Sequence, residues 1–334
     1  MKNLLYSLCV GLCLCASLAY GASESVAFTV PTVAPWNGVT KPTTAERATP
    51  TATTAYGLNA TYAQTINGKA SVVVNFTGAT GTPEVFGGVN SGTTGVGTKD
   101  IWLKVMGGTY KTIVGGSDAK DWGGNVPGSL TGNVLVDMTG GTADYVFGGT
   151  VGDKGNPTLT GNIAVVIEDS ATVNGSVIAV GYAKHSLTSK CVGAATVIVK
   201  NVQSTNGTAN AEVQNCAIKP GYIVGGGAYG WNNASKCNVE GSTSVSVDLA
   251  VDKSGDFNKT LIGGGLALKG NTSASGQEVK VSGKASVSVT APSTVNFIKP
   301  IVGGGYSKND AADGLATVTT GSSEVTLNGG TYTN

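Results

Sequence analysis

One spacing constrains this chain more than any other feature: aliphatic anchors recur every 31 residues. Val74, Val105, Val136, Ile167 and Val199 each close a run of alternating apolar residues, at intervals of 31, 31, 31 and 32. The series continues through Val247, Val289 and Leu327 at intervals of 48, 42 and 38. A period held this long is the signature of stacked repeats that bury their apolar faces on one another, and not of one closed core.

Each unit reads in three parts. The first is an alternating strand, as in Val134-Leu135-Val136-Asp137-Met138 or Val245-Ser246-Val247-Asp248-Leu249. The second is a short aliphatic run into glycines, as in Val146-Phe147-Gly148-Gly149 and Ile223-Val224-Gly225-Gly226-Gly227, with a degenerate copy at Val180-Gly181-Tyr182. The third is a weaker strand before the next unit, such as Leu159-Thr160-Gly161. Side chains alternate along a strand, so Val245, Val247 and Leu249 turn inward while Ser244, Ser246 and Asp248 turn outward. The glycines mark corners that need either positive φ or close backbone approach. These features predict an all-β, parallel, right-handed β-helix of about seven coils with three short strands each, roughly 35 Å long at about 4.8 Å per coil.

The chain opens with Lys2, an apolar run from Leu4 to Leu18, and the small-x-small triplet Ala19-Tyr20-Gly21. That pattern reads as a secretory signal over residues 1–21, too short for a membrane span of about 20 apolar residues. Residues 22–64 carry Thr-Ala-Pro runs and read as an extended leader or N-terminal cap, with the β-helix at 65–334. The net charge is +1 and Arg47 is the only arginine, so no basic footprint for nucleic acid is present. No cofactor motif and no metal-ligand spacing stands out; the acidic loops at 118–121 and 309–314 match no calcium motif.

Three cysteines follow the signal: Cys191, Cys216 and Cys237. Cys191 and Cys237 each end a Ser-Lys-Cys triplet before consecutive first strands. Equivalent positions in adjacent coils lie within disulfide reach, so Cys191–Cys237 is the expected bridge in an exported protein, with Cys216 as the rival partner.

The alternating valine strands, the Gly107-Gly108-Thr109-Tyr110 turn and the repeated Ile-Val-Gly-Gly-Gly corners resemble the passenger domains of autotransporter-like bacterial surface proteins. Pertactin-type adhesins and the chlamydial polymorphic outer membrane proteins share that texture. The resemblance implies an exported stalk or adhesin at the cell surface, in the outer membrane or outside the cell, with a glycan or a host or cell-surface protein as partner. Such proteins normally end in a translocator barrel. Here Leu327-Asn328-Gly329-Gly330-Thr331-Tyr332 matches the first strand and turn of a further coil, so a missing anchor or translocator is expected.

Parallel β-helices also carry polysaccharide-cleaving enzymes. With the anchors aligned, the next positions read Asp137, Glu168 and Lys200. These would stack outward, giving paired carboxylates for a glycosidase or a lysine base for a lyase; a solvated charge ladder is the plainer reading. His185, the only histidine, falls in a polar loop. Trp122, Tyr182, Tyr229, Trp231 and Tyr306 follow glycine corners and would form a binding stripe along one edge, or else corner packing. The position before the anchor reads Leu135, Val166 and Ile198 in three successive units, apolar where an outward face should be polar. Something must cover it: the leader, the insert at 203–221, or a partner.

Overall fold

The structure is a computed structural model. It describes the chain apart from residues 1–46, 49–53, 57–62, 67–68, 77–83, 89–99, 120–128, 201–220, 230–235, 269–277, 309–316 and 334. The signal region, Cys216, Trp122 and Trp231, and nearly all of the 203–221 insert therefore lie outside the described residues. Among the described residues every regular element is a β-strand.

The alternating segments pair in parallel, each with its counterpart in the next unit. Lys69–Phe76 pairs with Asp100–Val114, and that with Val134–Phe147. The series runs on through Ile163–Glu168, Ala195–Lys200, Thr243–Asp248, Glu278–Phe297 and Thr317–Tyr332. Two short segments of the 22–64 region join the stack, Arg47–Ala48 against Asn75 and Phe76, and Thr54–Tyr56 against Glu84, Val85 and Phe86. The only antiparallel pair among the described strands is the hairpin Ala63–Ile66 with Lys69–Phe76.

The register corrects the strict period. Val105 pairs with Met138, and Val136 pairs with Leu103 and Val165. The anchor column is therefore Phe76, Val105, Met138, Ile167, Val199, Val247, Val289 and Leu327. Val74 and Val136 share instead the register position of Leu103, two residues earlier. The early intervals are thus 29, 33, 29 and 32. Residues i and i+2 of a strand share a face, so aligning on valine alone slips the unit by two without disturbing its inward pattern.

Inside, these columns merge into one aliphatic core from Val85 to Phe297. The opposite wall comes from the second segments, with Val85, Ile113, Val146, Val177, Ile223 and Leu261 in register. The degenerate copy is Val177-Ile178-Ala179-Val180, three residues earlier than its sequence suggests, because Gly181 pairs with Thr150 in the following strand. The first glycines of the early corners, Gly87, Gly115 and Gly148, lie against Ile101, Val134 and Ile163 of the facing strands. A Cβ on Gly148 would collide with the Ala179 carbonyl and with Ile163 Cγ2. Close approach of two walls, rather than positive φ, is what demands glycine there.

Two features lie outside the repeat pattern of anchors and glycine corners. Asp100, Asn133 and Asn162 form a ladder at the entrance to the first strands. Asn133 N donates to Asp100 Oδ1 at 2.7 Å, Asn162 N to Asn133 Oδ1 at 3.0 Å, and Ala194 N to Asn162 Oδ1 at 2.8 Å. A second apolar cluster lies on the outer side of the corner wall and includes Phe86, Val114, Phe147, Ile178 and Tyr182. Its signal was the unbroken apolar dipeptides Val-Phe and Ile-Val, which mark strands buried on both faces.

Candidate functional site

The outer face of the first-strand sheet carries the chemistry, and it changes character along the stack. Two outward columns run across it. One reads Trp102, Leu135, Ala164, Thr196, Ser244, Ser286 and Glu324. The other reads Lys104, Asp137, Val166, Ile198, Ser246, Ser288 and Thr326. Trp102, Lys104, Leu135, Asp137, Ala164 and Val166 are buried. From Thr196 onward the face opens: Ile198, Ser244, Ser246 and Ser286 are half-buried, and Ser288, Glu324 and Thr326 are exposed.

Leu135 and Val166 are therefore covered as their apolar character requires, while Ile198 stands at the margin. They are not one column, however: Leu135 pairs with Ala164, and Asp137 with Val166. The 203–221 insert and most of the leader, the two intramolecular candidates for the cover, fall outside the described residues, apart from Gly221 and a few short leader strands.

Under the cover sits an ion pair. Lys104 Nζ donates to Asp137 Oδ2 at 2.9 Å, with the two residues 3 % and 0 % exposed. They face each other in adjacent strands. Burial pushes the Asp137 carboxyl above its ordinary range, and the Lys104 charge and hydrogen bond pull against that shift. Glu168 is also raised, by burial first and by the Asp137 charge second. Asp169 beside it is the only non-glycine at positive φ among the described residues, with φ 56°. Its turn is one residue longer than the Gly140-Gly141 turn below it, as the pairings Ile167–Met138 and Thr172–Thr142 require.

The expected ladder of Asp137, Glu168 and Lys200 does not assemble. Glu168 and Lys200 do pair, but Asp137 lies opposite Val166, two residues back. The cause is the two-residue slip in alignment described above. Asp137 is also sealed from solvent, whereas a catalytic carboxylate must reach its substrate.

The aromatic stripe divides as well. Tyr182, Ala228, Leu266 and Tyr306 share one register position. Tyr182 is buried in the second apolar cluster, 6.4 Å from Phe147 between ring centroids, and Tyr306 packs half-buried against that cluster. Tyr229 aligns instead with Ala183 and Ala267, one register position away from Tyr182 and Tyr306. Trp122 and Trp231 are outside the described residues, as is the His185 side chain.

Cys191 and Cys237 are free, buried thiols. Cys191 faces Val239, and Cys237 faces Ser189. That stagger of two residues separates the Cα atoms by roughly 8 Å, beyond disulfide reach. Burial pushes both thiols up to about 12, which suits packed core residues rather than reactive ones.

One further buried charge joins the two halves of the stack. Lys259 Nζ donates to the carbonyls of Asn174 at 3.0 Å and Gly175 at 2.8 Å, two units below it in pairing order. Burial lowers its amine to about 8.

No family model, curated protein or solved structure matches the chain.

Proposed function

We propose that the chain is an exported, surface-associated stalk or adhesin-like protein, built as a right-handed parallel β-helix of about seven coils. The observation that carries this reading is the parallel pairing that continues unit after unit from Lys69 to Tyr332 around unbroken aliphatic columns. Such a stack makes a stiff rod with long flat faces, suited to presenting a surface rather than enclosing a small molecule. The Lys2, Leu4–Leu18 and Ala19-Tyr20-Gly21 pattern supports export. The adhesin texture supports a bacterial surface and a glycan or cell-surface protein as partner. The polysaccharide-cleaving alternative required Asp137, Glu168 and Lys200 open and adjacent, and the sealed Asp137 removes its support.

The test is fractionation of expressing bacteria followed by protease treatment of intact cells. The reading expects a mature product beginning at Ala22 that is outside the cytoplasm and cleaved on intact cells. A product that keeps residues 1–21 and stays cytoplasmic would refute it. Release of reducing ends from neutral or acidic glycans by the purified protein would revive the enzyme.

A further inference from the structure

We infer that the open half of the outer face is a binding surface for a neutral, extended polysaccharide lying along the stack, about one sugar per unit. The inference deepens the adhesive reading and rests on it for its setting; its geometry stands on the face alone.

The first argument is the choice of residue. Ser244, Ser246, Ser286 and Ser288 occupy mid-strand positions in two consecutive units and point outward. Strands favour β-branched and aromatic side chains, and serine supplies neither packing nor stiffness there. Threonine or lysine would serve a merely solvated face better. A local choice made against propensity, with no packing return, marks a surface selected for contact.

The second is geometry. Thr243–Asp248 pairs residue for residue with 285–290, and these with 323–328, without a bulge. Hydroxyls therefore recur about 4.8 Å apart across the strands and about 6.6 Å apart along them. The first spacing is close to the length of one pyranose residue in an extended chain. The columns are also ordered: Ser244 Oγ donates to Thr196 Oγ1 at 2.9 Å, and Ser288 Oγ donates to Ser246 Oγ at 3.2 Å. A hydroxyl has one proton and two lone pairs, so these internal bonds spend protons and leave lone pairs facing out. Sugar hydroxyls are the complementary donors.

Charge and area select among ligands. Across the four strands the outward positions hold Lys200, Asp248 and Glu324, and each is opposed: Asp248 lies opposite Lys200 in register, and Glu324 is tied to Lys284. A neutral partner is therefore favoured over an anionic polymer. Four strands by five residues span only about 330 Å². A stable protein interface takes about 800 Å² per partner, so this face is too small for a second copy and large enough for a short run of sugars.

The experiment is affinity electrophoresis of the purified full chain in gels containing hydroxyethylcellulose, β-mannan or polygalacturonate. Retardation is expected in at least one neutral polymer and not in polygalacturonate. The S246A/S288A double variant should bind about tenfold more weakly, with an unchanged melting curve, because two modest hydrogen bonds are lost. The S246T/S288T variant keeps both hydroxyls and should bind as the parent does. No retardation by either neutral polymer, equal retardation of the alanine variant, or retardation by polygalacturonate alone would overturn the inference. Each of those results leaves the fractionation test of surface location untouched.

Discussion

The units at 134–168 and those at 243–290 share an interior and differ outside. Inward, both present aliphatic columns built mainly of valine, in register across the stack. Outward, the first carry Leu135, Asp137 and Val166 under cover, and the second carry Ser244, Ser246, Ser286 and Ser288 in an open or half-open array. The inward pattern is what stacking requires of every unit, so it repeats. The outward pattern answers only to what lies over it, so it is free to change between neighbours. A solenoid thus separates the residues that make the fold from those that give each stretch of it a use.

The comparison breaks first at the buried charge. Asp137→Ala should cost about 3–5 kcal/mol, because Lys104 is left buried without its carboxylate. Asp248→Ala on the open margin should fall within about 0.5 kcal/mol. Replacing the pair together, Lys104→Met with Asp137→Leu, should be near neutral or stabilising, which denaturant titration of the three variants would show. The next contrast is apolar: Leu135→Ala should cost about 2–5 kcal/mol, against about 0.5 or less for Ser244→Ala. Equal losses would mean that the two zones are covered alike.

The tightness of the two walls gives a smaller contrast. Gly148→Ala forces a methyl into the Ala179 carbonyl and Ile163, and should cost about 1–3 kcal/mol or more. Gly304→Ala meets nothing nearer than 3.4 Å, from Thr320 Oγ1, and should be nearly silent in the same titration.

A pH-dependent contrast tests the link between the zones. The Lys259 amine sits at about 8 in the folded chain, below its ordinary 10.5. Below pH 8 the amine is charged in both states and its burial penalty is fully present. Above about 10.5 it is neutral in both and the penalty is gone. Stability should therefore rise with pH through that window, and Lys259→Met should remove that part of the slope.

Most of the stack was legible because period-2 alternation and recurring glycine corners survive small errors of alignment. The same tolerance hid the register. Val136 and Met138 both face inward, so only the pairing with Val105 tells which is the anchor. That two-residue ambiguity is harmless for the core and decisive outside it. It set Asp137 beside Glu168 when its neighbours are Lys104 and Val166. A like stagger separates Cys191 from Cys237. The closing turn was legible without pairing, since Gly-Gly-Thr-Tyr is self-contained. Tyr110 OH donates to Gly107 O and Tyr332 OH to Gly329 O, both at 2.7 Å.

The division into covered and open zones is tested most directly by thiol labelling. Leu135→Cys and Ser288→Cys, compared in the folded chain with a small maleimide and read by peptide mass mapping, report the two zones separately from the native cysteines. The account predicts that Cys at 288 reacts at the rate of a free surface thiol, while Cys at 135 reacts only after denaturation. Comparable rates at both positions in the folded protein would contradict it.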